Sequence, residues 1–109
     1  MRRGEIRWCI LRPLDKRRPV VILTRNSAMT FLTNVTVAPI TSTNREIPTQ
    51  VLLTPEEDGV NSICAVSLDN IQTVPKQQIG ALITTLSTQR LEEVEVSIAF
   101  ALGMDTFVR

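Results

Sequence analysis

The stretch Arg18-Pro19-Val20-Val21-Ile22-Leu23 indicates the fold class of this 109-residue sequence most directly. Four consecutive aliphatic residues follow a proline, and a short apolar run of this kind predicts a β-strand. Proline is tolerated at the first positions of a strand, where its missing N–H removes no essential ladder hydrogen bond. Arg18 is therefore expected to stand where this strand begins.

An alternating pattern precedes this strand. Residues 5–12 alternate in polarity, with Ile6, Trp8 and Ile10 predicted to share the buried face of a first strand. Residues 13–17 predict the short turn that joins the two strands.

Downstream, the pattern predicts four further strands, over residues 35–39, 48–53, 63–68 and 71–74, with Pro75 ending the strand portion of the chain. Asn26 and Ser27 are placed to cap one helical turn. Residues 41–46 read as a polar loop, and residues 54–57 as a surface turn despite their capping-box pattern.

One long helix is predicted at the C-terminal end, capped by Ser87 or Thr88 and stopped by Gly103. Its buried face is marked by Leu91, Val94, Ile98 and Leu102. Six short strands and one terminal helix, without strand–helix–strand alternation, predict a mainly β (α+β) fold, either an antiparallel barrel or a sandwich.

Length and composition predict one soluble domain spanning residues 1–109. No apolar run approaches the roughly 20 residues that cross a bilayer, and no targeting segment is visible, so no membrane partner is expected. Cys9 and Cys64 lie in apolar stretches, a pattern typical of buried free thiols in a reducing compartment such as the cytoplasm, although a disulfide between them stays open.

The charges are unevenly distributed: residues 1–50 contain nine Lys/Arg and three Asp/Glu, whereas residues 51–109 contain three and eight. This asymmetry favours a nucleic-acid partner for the first half, although an ordinary solvated face explains it equally well.

The residue types exclude several classes of enzyme. Histidine is absent, which removes the commonest general base and the Ser–His and Cys–His nucleophiles. The four glycines are isolated, so no phosphate-binding loop is present. The acidic run Glu56-Glu57-Asp58 is interpreted as a solvated turn rather than a cation site. Neither a metal nor any other cofactor is expected.

A series of short motifs runs through nearly the whole chain: Arg3-Gly4-Glu5-Ile6, Arg18-Pro19-Val20-Val21-Ile22 with Asn26, Pro39-Ile40-Thr41-Ser42, and Pro48-Thr49-Gln50-Val51. Leu68-Asp69-Asn70-Ile71-Gln72-Thr73 and the terminal Leu102-Gly103 continue it. Each motif is weak alone, but in this order and spacing the sequence closely resembles the MazF/PemK (Kid) family of toxin ribonucleases over roughly residues 2–104.

The resemblance implies a single toxin domain, an SH3-like barrel of antiparallel strands with short helices and one C-terminal helix. It also implies a growth-inhibiting, metal-independent endoribonuclease that cuts single-stranded RNA, usually mRNA, at short sequences. The RNA's own 2′-OH would be the nucleophile, leaving a 2′,3′-cyclic phosphate and a 5′-OH. The implied partners are RNA, a cognate antitoxin, a second copy of the chain, and a DNA operator only together with the antitoxin.

The resemblance places the catalytic pair at Arg18 and Thr49, and a possible acid/base at Asp69. An arginine has a reference pKa of about 12.5 to 13.8 and gives up a proton reluctantly, so Arg18 is interpreted as an electrostatic clamp on the phosphoryl group. The Thr49 hydroxyl is expected to donate to a phosphoryl oxygen, and Asp69 is the hypothesis for the general base.

Hydroxyls, amides and arginines suit unstacked bases and phosphates. The predicted RNA contacts are Thr24, Arg25, Thr41, Ser42, Thr43, Arg45 and Asn70.

Two features depart from the family pattern. The first loop, residues 13–17, is short, and Asn70 and Gln72 stand where relatives often have Gln and Arg. Two alternatives therefore stay open: a non-catalytic toxin resembling CcdB that binds DNA gyrase, and an inactive member that binds only antitoxin or DNA.

Overall fold

The structure, a computed structural model, describes residues 1–11 and 16–105. These residues form seven strands: β1 (Glu5–Cys9), β2 (Arg18–Ile22), β3 (Asn34–Thr41), β4 (Gln50–Leu53), β5 (Cys64–Ser67), β6 (Gln72–Pro75) and β7 (Ile79–Thr85). They also form two α-helices, α1 (Pro55–Asp58) and α2 (Thr88–Ala101), and three single turns of 3₁₀ helix at Asn26–Ala28, Leu68–Asn70 and Lys76–Gln78.

The strands form one antiparallel sheet in the order β4-β5-β3-β2-β1-β7, with β6 also paired to β3. Within the described ranges no pairing joins β4 to β7, so hydrogen bonds do not close the sheet into a ring. The predicted class is confirmed: a mainly antiparallel β fold with short helices and one C-terminal helix. In the same part of the chain, no helix combines the length and the apolar character needed to cross a membrane.

Pro75 was predicted to end the last of six strands. This prediction is wrong, because a seventh strand, β7, follows Pro75 and pairs with β1. Most of β7 is exposed, including Leu82 at 49%, and its register with β1 shifts twice. A strand of this kind carries no regular alternation of buried and exposed residues, which is the signal that sequence analysis relies on.

The predicted first strand is also corrected. It ends at Cys9, which is buried, whereas Ile10 is 46% exposed. Ile10 lies beyond the last paired residue of β1, so the alternation of buried and exposed faces no longer applies to it. Residue 12, where the strand was predicted to end, and residues 13–15 of the predicted turn lie outside the described residues.

Glu5, at the start of β1, is 9% exposed. Burial raises the pKa of its carboxyl, but hydrogen bonds from the Arg7 side chain and the Arg2 backbone N–H outweigh that effect, so the pKa lies below its ordinary value of 4.5. Glu5 is therefore a charged group held inside the structure by its donors.

The core has two parts, one on each face of the central strands. Val21, Val66 and Leu68 pack with Val94 of α2, while Val20 and Ile22 belong to the second cluster. Because β2 is buried on both faces, its sequence is a continuous aliphatic run rather than an alternating one. Cys9 and Cys64 are buried free thiols, as predicted.

Residues 54–58 are not a surface turn. Thr54 caps α1 through a bond from the Glu57 N–H, and Asp58 is buried, with only 2% of its side chain exposed. The Asp58 carboxylate accepts from the Thr54 N–H and from Arg90 Nε, both at 2.9 Å. The hydrogen bond that Arg90 donates to Asp58 raises the pKa of Arg90 above its ordinary value, and this ion pair ties α1 to α2.

The helix α2 begins and ends as predicted. The Ser87 side chain accepts from the Arg90 N–H at its start, and Gly103 takes a left-handed φ of 72° beyond its end.

β5 and β6 are two halves of one interrupted strand along β3. Val66 lies opposite Ile40 and Gln72 lies opposite Val37. Six positions along the interrupted strand therefore correspond to only three positions along β3. The difference of three equals the 3₁₀ turn Leu68–Asn70, which is inserted between the two halves. This insertion carries Asp69 out of the ladder.

Candidate active site

Arg18 and Thr41 stand at adjacent strand ends. Val20 lies opposite Pro39 in the β2–β3 pairing, and continuing this register places Arg18 opposite Thr41. Both residues line a cavity of about 330 Å³, named here the Arg18 cavity. Its remaining walls are Ile6, Trp8, Pro19, Ile40, Ser42, Val60, Asn61, Ser62, Cys64 and Ile83.

A second cavity, of about 180 Å³, lies at the interruption between β5 and β6 and is named here the Asp69 cavity. Ser67 Oγ donates to Asp69 Oδ1 at 2.6 Å, and Asn70 Nδ2 donates to Ser67 Oγ at 3.1 Å. Ser67 is buried, so the exposed carboxylate is oriented from beneath. The other walls are Pro39, Thr41, Thr43, Arg45 and Gln50.

The polar loop over the Asp69 cavity is held by the side chain of Gln50. Its Oε1 accepts from the Arg45 N–H at 2.8 Å, and its Nε2 donates to the Thr43 carbonyl at 3.2 Å. Thr41 Oγ1 also accepts from the Thr43 N–H. One amide therefore fixes two positions of the loop, and Gln50 is a site residue that the sequence analysis missed.

Thr49 lies immediately before β4 and is fixed through its backbone. Its carbonyl accepts from the Leu68 N–H at 2.8 Å, which places Thr49 beside the turn that carries Asp69. The preceding carbonyl, of Pro48, accepts from the buried Ser97 Oγ of α2 at 2.6 Å. Thr49 is half-buried and lines neither cavity, although the next residue, Gln50, lines the Asp69 cavity.

Five of the predicted RNA contacts converge on the two cavities. Thr41 borders both of them, Ser42 borders the Arg18 cavity, and Thr43, Arg45 and Asn70 border the Asp69 cavity. The two cavities therefore share one wall residue, Thr41.

Thr24 and Arg25 are not brought to these cavities. Thr24 Oγ1 accepts from the Thr36 N–H, five positions along β3 from Thr41, or about 16 Å at the rise of an extended strand. Arg25 is exposed just before the first 3₁₀ turn. Their role in RNA binding stays a prediction.

The walls suit phosphate and base chemistry better than cysteine or metal chemistry. Burial raises the pKa of the Cys64 thiol and the charge of Asp58 raises it further, so the thiol in the Arg18 cavity is a poor nucleophile. Across residues 1–11 and 16–105, no three His, Cys, Asp or Glu side chains are grouped as metal ligands. The arrangement offers a cationic fork, hydroxyl donors and one oriented carboxylate.

Three further walls of the Arg18 cavity, Trp8, Asn61 and Ser62, were not predicted as site residues. Trp8 was predicted to lie on a buried strand face, and residues 61 and 62 belong to none of the motifs that marked the site. No sequence signal links positions 8 and 61, because only the folded sheet brings them together.

A small antiparallel sheet with one C-terminal helix therefore places an arginine, hydroxyls and a carboxylate around two cavities that share Thr41. The chain belongs to the family of PemK-like, MazF-like toxins of type II toxin–antitoxin systems, which matches residues 2–102. The resemblance predicted from the motifs is confirmed.

Individual relatives agree with this assignment. The endoribonuclease MazF3 of Mycobacterium tuberculosis is 42% identical over 95 residues, covering 87% of this chain and 91% of the relative. The structure of the M. tuberculosis toxin MazF-mt6 superposes with a TM-score of 0.82 at 40% identity, covering 93% of this chain and 98% of that one. A mycobacterial endoribonuclease solved with its cognate antitoxin gives a TM-score of 0.85 at 27% identity, with 95% and 96% covered.

Proposed function

We propose that this protein is the toxin of a type II toxin–antitoxin system and acts as an endoribonuclease on single-stranded RNA, principally mRNA, without a metal ion. Relatives at 40–42% identity bear the name endoribonuclease MazF. The observation that carries the proposal for this chain is that the Arg18 and Asp69 cavities share Thr41 as a wall. A scissile phosphate bound beside Thr41 would have a cation on one side and a base on the other.

In the proposed reaction, Asp69 takes the proton of the RNA 2′-OH, and the oxygen attacks the adjacent phosphorus. The bond from phosphorus to the 5′-oxygen breaks, a proton from water joins that oxygen, and Asp69 releases its own proton to water. The products are a 2′,3′-cyclic phosphate and a 5′-OH. Every atom of the new bond comes from the RNA, so the protein supplies only proton transfer and charge stabilisation.

Asp69 is supported as the base by its hydrogen bonds. The donors from Ser67 and Asn70 both reach Oδ1, and Oδ2 accepts from none of the described residues. One oxygen therefore holds the carboxylate while the other is open toward a substrate hydroxyl.

Arg18 is proposed as the clamp that stabilises charge on the phosphorane through two parallel N–H donors. Thr49 is proposed to donate its hydroxyl to a phosphoryl oxygen. The bonds from Leu68 and Ser97 to the carbonyls of Thr49 and Pro48 support this role, because they fix the backbone on both sides of the Thr49 nitrogen.

The proposed protein partners are a cognate antitoxin and a second copy of the chain, and a DNA operator is bound only together with the antitoxin. Leu52, Val96 and Phe100, between 42% and 61% exposed, border one groove between β4 and α2 and support a protein contact there. The cytoplasm is the proposed place of action, since mRNA is the substrate. Light scattering that finds a stable monomer contradicts the homodimer.

The test is incubation of the purified protein with a long single-stranded RNA in EDTA. The proposal expects discrete cuts whose downstream fragments carry a free 5′-OH that polynucleotide kinase can label directly. Intact RNA, or cleavage only after Mg²⁺ is added, overturns it. Growth arrest by a protein that leaves RNA intact supports the non-catalytic alternative instead.

Two variants assign the roles. Arg18→Lys is expected to keep RNA binding but lose about 10²- to 10³-fold in cleavage rate, because a point charge does not reproduce the fork. Arg2→Lys, an exposed arginine that lines neither cavity, is the matched control. Asp69→Asn is expected to abolish the acidic limb of the pH–rate profile, and an unchanged profile removes Asp69 from the mechanism.

A further inference from the structure

The Arg18 cavity has a wall that the cleavage chemistry does not use. Trp8 is half-buried and borders the cavity, and Asn61 and Ser62 reach it from the loop before β5. Further aliphatic wall comes from Ile6 and Ile83. An apolar wall with a few polar groups at its edge is the usual composition of a small-molecule site.

Trp8 separates two regions of different character. The guanidinium carbon of Arg17 lies 4.5 Å from the centroid of the indole, within the range of a cation–π contact. Arg17 and Trp8 border one small cavity, while Arg18 and Trp8 border the Arg18 cavity. The indole therefore borders both cavities, and Arg17 covers one face of its ring.

Asn61 contributes a side-chain amide to the wall. An asparagine amide presents a donor and an acceptor side by side, which matches the paired donor and acceptor at the edge of a nucleobase. In single-stranded RNA these edges are free, and the base is available to stack on an aromatic side chain. Neither a phosphate nor a sugar alone calls for both an indole and an amide.

We propose that the Arg18 cavity is a nucleobase subsite, in which one unstacked base of single-stranded RNA lies against Trp8 and is read by the Asn61 amide. Arg18, at the rim of the same cavity, then holds the phosphate next to that base. Because the cavity shares Thr41 with the Asp69 cavity, the bound base is expected to belong to a nucleotide adjoining the cleaved bond. This proposal rests on the proposed function and adds to it the residues that select one base.

Trp8 is the only tryptophan in the sequence, and tyrosine is absent, so intrinsic tryptophan fluorescence reports on the surroundings of Trp8 alone. The cleavage sequence is first mapped by primer extension on a long RNA. The probe is then a heptamer of that sequence with a 2′-O-methyl group at the cleaved nucleotide, which blocks the nucleophile. An abasic residue is placed at each position in turn.

The expected result is saturable quenching of Trp8 fluorescence, lost with an abasic residue at one position next to the cleaved bond and kept at distant positions. At that position the dissociation constant is expected to rise by about 5- to 100-fold, the range for loss of one base–aromatic stack. Quenching that no abasic substitution changes, or no quenching by a heptamer that binds, overturns the subsite.

Variants test the same point by a second readout, the anisotropy of a labelled heptamer. Trp8→Leu is expected to weaken binding of the intact heptamer and to make binding insensitive to the critical abasic position. Asn61→Ala is expected to relax base preference at that position only, while Asn34→Ala, an exposed asparagine at the other end of β3, leaves it unchanged. Unchanged preference in Asn61→Ala refutes the role of the amide.

The two proposals fail separately. If the unmodified RNA is not cut in EDTA, the proposed function fails before the heptamer is designed. If the RNA is cut and the abasic scan is flat at every position, only the base subsite fails.

Discussion

The ion pair between Asp58 and Arg90 tests how burial changes the contribution of an ion pair to the free energy of unfolding. Arg90 pairs with Asp58 and also with Glu57, at 2.9 and 3.1 Å. The two acidic side chains are sequence neighbours, but that of Asp58 is 2% exposed and that of Glu57 is 71% exposed. Asp58→Asn and Glu57→Gln are therefore matched isosteric changes against the same arginine.

The magnitude follows from the acceptors that each change removes. Asp58 uses both carboxylate oxygens, one for the Thr54 N–H and one for Arg90 Nε. An asparagine has one acceptor oxygen, so its NH₂ group must face one of these donors. Losing one buried hydrogen bond to a charged group costs about 1.5 to 3 kcal/mol, and the weakened pairing of Arg90 adds to this. We expect about 3 kcal/mol for Asp58→Asn and below about 1 kcal/mol for Glu57→Gln.

The assay is thermal and urea unfolding of both variants at one fixed protein concentration, because a dimer makes stability concentration-dependent. For a domain of this size, the Asp58→Asn change corresponds to a fall in Tm of about 10–15 °C. Equal effects of the two substitutions, or a loss under about 0.5 kcal/mol for Asp58→Asn, refute the burial argument.

Three further predictions concern other contacts. Ser97→Ala is expected to lower kcat with little change in KM, because Thr49 loses its support from α2, and to reduce the free energy of unfolding by about 1 kcal/mol. Because folding lowers the pKa of Glu5, its carboxylate contributes fully to the free energy of unfolding above pH 4.5, and this contribution is lost as the pH falls further. In Glu5→Gln the free energy of unfolding should therefore change less with pH below pH 4.5. The buried thiols of Cys9 and Cys64 should react slowly with a disulfide reagent at pH 7 in the folded protein, and both should react in urea without a reductant.

Each of these has a clear contrary result. An unchanged kcat in Ser97→Ala removes α2 from the support of Thr49. A stability profile in Glu5→Gln that parallels the unsubstituted protein below pH 4.5 shows that the carboxyl gains nothing on folding. Finding no thiol in urea before reduction identifies a disulfide.

Short sequence patterns correctly predicted the strands and helix whose residues are determined by burial or by capping alone. The Val20–Ile22 run gave β2, because a strand buried on both faces must be continuously apolar. Ser87 and Gly103 marked the ends of α2, because each satisfies the backbone at its own terminus. β7 escaped prediction, since an exposed strand with shifted register leaves no periodic pattern.

The site was harder to predict because its residues come from separate segments, and strand pairing determines which of them lie close together. The motif order of the family pointed to Arg18, Thr49 and Asp69. However, their relative positions depend on the three-residue offset along β3, which no single segment reveals. Asp58 was interpreted as solvated because its partner, Arg90, is 32 positions away in the chain. Long-range pairing decided both cases.

The short turn Leu68–Asn70 also determines whether the backbone entropy of Asp69 is lost during folding or during RNA binding. Both ends of the turn are held by ladders on the same strand, so its three residues have few other conformations once the sheet has formed. Fixing the backbone costs about 1–2 kcal/mol per residue, and here that loss of entropy accompanies folding rather than RNA binding. A carboxylate on a long free loop would impose the same loss on every encounter with substrate.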